Sequence, residues 1–139
     1  MQTLGIRLNN PGNIEHGDPW QGLHKEQTHE RFCRFVSPEY GIRAMAKIIG
    51  TYRRVHRGKN GTPVDTIREV IERWAPPSEN PTEAYIKNVG TWAGIDPEAV
   101  IDLRAPTALV PVIKGIIRQE NGTQPYSDAV IRAGVRMAG

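Results

Sequence analysis

The sequence predicts a mainly α-helical domain with one small β-hairpin. Three observations lead there. Apolar residues recur at helical spacing through most of the chain, helix-starting and helix-stopping residues bracket those stretches, and one short segment alternates as a strand does. The 139 residues, 1–139, are one domain's worth of chain, long enough to bury a core without covalent staples.

Taken in order, "LGIRLNNPGNIEHGDPWQG" is dense in Asn, Gly and Pro, which favours an ordered loop of tight turns over a helix. "RFCRFVS" is a short strand that pairs with the "NIE" stretch as a hairpin. The first amphipathic helix opens with Ser37 as its cap and Pro38 in its first turn, and Ile42, Met45, Ile48, Ile49 and Tyr52 form its apolar stripe. The next carries Ile67, Val70, Ile71 and Trp74 on one face behind Asp65 as cap, and another runs through "NPTEAYIKNVGTWAG", with Asn80 as cap, Pro81 in the first turn and Glu83 placed as in a capping box. Residues 97–103 read as a short helix. A long one follows from Pro106 to Gly122, with Pro111 as a kink or as its true start, and a last one stands behind Ser127.

Lys and Arg number 18 against 15 Asp and Glu, a net charge of +3 that leaves any polyanionic surface open as a partner. The densest basic cluster, Arg53, Arg54, His56, Arg57 and Lys59, reads as a solvated helix end, so neither nucleic acid nor membrane is expected as a partner. Cys33, the only cysteine, sits between Phe32 and Phe35 as a small buried hydrophobe. The histidines share no ligand spacing with it or with one another, so no metal and no cofactor are expected. Without a membrane-length apolar run or a signal-like start, the chain is expected to be made in the cytoplasm.

One carboxylate breaks the pattern. At about 100° per residue, Leu109, Ile113, Ile116, Ile117 and Glu120 share one face of the long helix, whereas Arg118 points the other way. Burial disfavours a charged carboxylate, and so does the negative end of the helix dipole. Such a group keeps a proton to give, as cleavage of a glycosidic bond requires. The plainer reading is that the last turn frays and Glu120 is simply exposed beside Asn121 and Gly122. Glu15, in the Asn-rich loop, is the candidate second carboxylate, and Glu79 is a cleft-edge residue. For sugar binding, Asn9, Asn10 and Asn13 offer amides, and Trp20, Tyr40, Trp74 and Tyr85 offer aromatic faces. Against these stand turn closure for Asn10 and Asn13 and core packing for Trp74 and Tyr85.

"IIRQENG" resembles the stretch of goose-type lysozymes and soluble lytic transglycosylases in which an apolar helix ends in the catalytic Glu. That resemblance gives Glu120 the general-acid role. "NNPGNI" with "FCRFVSPEYGIRAM" is similar to the Asn-Asn segment, short strand and following helix of bacterial glucosaminidases of the lysozyme-like superfamily, and "NPTEAYIKNV" to their late Tyr-bearing helix. In those enzymes the acid helix precedes the Asn-Asn segment. Here it follows, and a circular permutation that moves residues 106–139 ahead of residue 1 restores their order. Over nearly its whole length the chain also resembles a family of small phage and prophage virion proteins, through "RLNNPGNI", "WQG", "SPEYGIRA", "TIREVIERWAPPSENPTEAYI" and "IIRQENG".

These resemblances imply a lysozyme-like, circularly permuted domain of phage or prophage origin. It would cleave the glycan strand of peptidoglycan as a muramidase or lytic transglycosylase, at the periplasmic cell wall or within a virion, with other virion proteins as further partners. The alternative is a non-catalytic phage structural or adaptor protein on the same fold. An open groove at Glu120, with Asn9, Asn10 or Glu15 within reach, favours the enzyme; a filled pocket favours the adaptor.

Overall fold

The computed structural model describes residues 2–58 and 61–139, so Lys59 of the basic cluster lies outside the described residues. Among these residues the chain forms six helices: α1 (Leu4–Arg7), α2 (Pro38–Val55), α3 (Ile67–Trp74), α4 (Thr82–Ala93), α5 (Pro106–Asn121) and α6 (Asp128–Met137). The mainly helical expectation therefore holds. No described helix is long and apolar enough to cross a membrane.

α5 is the central element. Nine of its residues are buried, and it touches α1, α2, α4 and α6. The apolar stripe explains this: Val112, Ile113, Ile116 and Ile117 are fully shielded, while Arg118 is exposed and lies over the ring of Trp92. α2 runs against α6, where Gly134 allows close approach; a Cβ there would meet Ile42 Cγ2 at 2.6 Å. α3 packs on α4, and Arg68 ties the pair to the following segment through Glu83 at 2.7 Å and Glu98 at 2.6 Å. Phe35, Ile42, Met45, Ile67, Ile71 and Ile131 complete a continuous core, and Cys33 is buried in it as expected.

Several local expectations are corrected. The N-terminal stretch, read wholly as loop, begins with the single turn α1. The hairpin reduces to isolated antiparallel bridges, Glu15 with Phe32 and Leu23 with Phe35, so the predicted pairing is present without an extended ladder. α3 starts one residue later than read, because Thr66 rather than Asp65 accepts the Glu69 N–H, while the Glu69 carboxylate turns back to the Asp65 N–H. Asn80 does not cap α4; its amide donates to the Pro76 carbonyl at 3.2 Å and closes the preceding loop. Residues 97–103 are turns, since the backbone groups there are spent on other elements: the Ile101 N–H donates to Asp65 O and the Pro97 carbonyl accepts from Arg68 N. Pro111 neither starts nor breaks α5. It sits early in the helix, and its missing N–H frees only the carbonyl of Thr107, which is exposed. Ser37 stands at the N-cap of α2 but makes no side-chain cap bond, whereas Ser127 accepts the Val130 N–H at the start of α6.

Tyr126, in the link between α5 and α6, carries a buried hydroxyl that has no hydrogen-bond partner among the described residues. Burial makes it a weaker acid, its pKa pushed up to about 12 from the ordinary 10.0. Above about pH 10 the unfolded chain gives up this proton while the folded chain keeps it, so stability falls as pH rises toward 12. Tyr126→Phe is expected to flatten that part of the melting-temperature profile without loss at neutral pH, as checked by thermal melts of both proteins from pH 7 upward.

Candidate functional site

The last turn of α5 meets the loop 9–14, and the tie begins with Asn121. Although polar, it is only 7% exposed, and its amide donates to Pro11 O at 2.8 Å and Ile117 O at 2.9 Å. Its side-chain oxygen accepts the Thr3 hydroxyl at 2.6 Å. The loop is therefore clamped to the helix end by the residue next to Glu120. Within the loop, Asn9 and Asn13 hold left-handed backbone with φ of 55° and 53°, which asparagine tolerates better than most side chains. The loop also lies so close to α2 that a Cβ on Gly41 would meet Asn9 O at 2.1 Å.

This packing brings Asn13 to Glu120, its amide donating to Oε1 at 2.9 Å. From α4, the buried Tyr85 donates its hydroxyl to Oε2 at 2.8 Å. Trp74, at the end of α3, lines the cleft beside them. Burial, and after it the Glu120 charge and hydrogen bond, hold Tyr85 protonated well beyond the ordinary phenol range, so it stays a donor to the carboxylate. Three side chains from separate elements thus form one chain of hydrogen bonds that fixes the Glu120 carboxyl group.

Glu120 is half-buried rather than enclosed or frayed into solvent, and it lines a cleft of about 430 Å³. Asn13 and Gly12 line the cleft from the loop, Trp74 and Tyr52 from the helices, and Asn80 and Glu79 from the 75–80 turn. Glu15 and Phe32 line it from the bridged segments, where Arg31 holds Glu15 in an exposed ion pair at 2.6 Å and stacks over Phe32. The groove is open, and Glu120, Glu15 and Glu79 share it. Asn13 and Tyr85 hold Glu120, and of the two only Asn13 lines the cleft itself.

Other candidates are placed elsewhere. Asn10 is fully buried; its amide donates to Ile14 O and Cys33 O, and its oxygen accepts the Ile14 N–H, so all its capacity goes to the backbone. Asn9 donates to Phe35 O and is absent from the cleft wall. Tyr40 packs its ring on Gly22 instead of the cleft. Trp20, half-buried on the core with a shielded indole N–H, lines a separate hollow that shares Ile48 and Tyr52 with the cleft. The residues passed over were Asn121, Phe32, Arg31 and Tyr52. For Asn121 a signal existed: it is polar and lies one step beyond Glu120, where the helix is still packed.

No family model matches the chain. Protein P5 of Pseudoalteromonas phage PM2 is 37% identical to it over 134 residues, which cover 94% of this chain and 78% of that protein. Shared identity at that level over nearly the whole chain bears out the phage resemblance read from the motifs, and the chain belongs to the family of this phage protein.

Proposed function

We propose that this phage-family protein binds the glycan strand of peptidoglycan and cleaves it, with Glu120 as the proton donor, on a circularly permuted lysozyme-like fold. The observation that carries the reading is the Glu120 carboxyl group held by Asn13 and Tyr85 at the wall of an open cleft with aromatic and carboxylate neighbours. As general acid, the Glu120 carboxyl group must enter the reaction carrying a proton. Its proton passes to the glycosidic oxygen as the bond from C1 to that oxygen breaks. The cation left at C1 is captured by water or by a hydroxyl of the same sugar, and the proton released returns to Glu120. Glu79 and Glu15, the latter paired with Arg31, also line the cleft and add negative charge where positive charge develops. Trp74, Tyr52 and Phe32 supply faces for the sugar rings.

A second reading is a non-catalytic phage structural or adaptor protein, and kinship with a phage protein favours it directly. Incubating the protein with purified sacculi and weighing the released fragments separates the two. Glycan fragments are expected, with reducing ends for hydrolysis or anhydro ends for intramolecular capture. Sacculi left intact by active-concentration protein support the structural role.

A further inference from the structure

At the other end of α5, opposite Glu120, lies a hollow of about 650 Å³. Leu109 on its wall is 11 residues from Glu120, roughly 16 Å along the helix axis at ~1.5 Å per residue. Five arginines from three parts of the chain line it: Arg53 and Arg54 at the end of α2, Arg104 before α5, and Arg132 and Arg136 on α6. Solvation of a helix end accounts for Arg53 and Arg54 alone, not for the convergence of the other three. Of these five arginines only Arg104 holds a carboxylate in an ion pair among the described residues, Asp102 at 3.0 Å. Asp102 and Asp128 feel the fields of Arg53 and Arg132 without pairing to them. The floor of the same hollow is aliphatic, with the mostly buried Leu103, Leu109 and Val135 in its lining.

We propose that this hollow captures an acidic segment of a partner protein, whose carboxylates meet the arginines while an aliphatic side chain enters between them. The chemistry favours such a segment over other anions. The basic residues lining the hollow are all arginine, whose planar fork matches carboxylates bidentately and which is enriched at protein interfaces, where lysine is depleted. No aromatic side chain lines the hollow, so there is no platform on which nucleic-acid bases could stack. A concave aliphatic floor accepts a protruding side chain, whereas a membrane surface is met by protruding apolar groups.

The test is fluorescence anisotropy with a short labelled peptide of Glu and Asp residues around two leucines. The comparison probes are the same peptide with serines for the leucines, duplex DNA, and phosphatidylglycerol vesicles. Saturable binding of the leucine peptide is expected, weakened about tenfold or more by the serine exchange and by Arg132→Ala with Arg136→Ala. Both arginines are exposed, so the double variant is expected to melt as the parent does, and Arg53→Ala serves as an independent variant should it not. Absence of saturable peptide binding overturns the proposal, as does binding indifferent to the leucines or to the arginines. Arginine-dependent binding of DNA or vesicles without the peptide overturns it equally.

Discussion

Glu120→Gln is expected to lower glycan cleavage by about two orders of magnitude or more, the lower range for removing a general acid, while leaving attachment to sacculi in place. The substituted amide is nearly isosteric. Its oxygen can still accept from Tyr85 or Asn13, but its NH2 group then faces the other donor, so one of the two contacts at 2.8 and 2.9 Å must loosen. A modest fall in melting temperature is therefore expected beside the large kinetic loss. The measurement pairs fragment release with a pull-down on the same sacculi. Unchanged cleavage in the variant would move the proton-donor role to Glu15 or Glu79, which share the cleft.

Asn10→Ala is expected to cost about 2 kcal/mol or more of folding stability, through the polar groups it strands. The alanine leaves the Ile14 N–H and the Cys33 carbonyl without their present partner, while the Ile14 carbonyl keeps the Cys33 N–H. Each such orphan costs ~1 kcal/mol or more. Because Asn13 belongs to the same loop, the variant is also expected to lose cleavage activity at temperatures where the helical far-ultraviolet signal persists. Denaturant melts together with fragment release check both parts; a variant as stable as the parent would mean that water replaces the amide at this site.

The helical part of the fold was legible because it rests on periodicity. α2, α5 and α6 fall close to the bounds read from their apolar stripes and flanking Ser, Pro and Gly. The failures share a cause. Asp65 and Thr66, or Asn80 and its neighbours, offer the same capping chemistry locally, and what selected Thr66 was the reach of Glu69, while Asn80 was drawn to the Pro76 carbonyl. Residues 97–103 have turn and helix formers alike, but their backbone partners lie around α3, beyond any local pattern. In the site, Glu120 was found as a charge out of phase with its helix. Among the asparagines, composition cannot say which amide is used up by the backbone. Asn10 and Asn13 are chemically identical, and only packing sends one into the core and the other to the carboxylate. Likewise Tyr40 and Tyr85 sit on equally plausible helices, but only Tyr85 faces the end of α5.

The clamp around Asn121 has a temporal side. Thr3 bonds a residue 118 positions later, and Asn13 meets Glu120 across 107 positions, so the cleft wall joins the two ends of the chain. Closing so long a loop carries an entropic cost that helix-by-helix contacts do not repay until most of the molecule has condensed. On the ribosome, the Asn-rich segment emerges before α5 and waits for it, and until then its left-handed turns lack the helix end on which they dock. The proposed acid is thus assembled only once α5 has followed the loop by 107 positions, and a chain interrupted before α5 carries the loop without the carboxylate that the proposed chemistry needs.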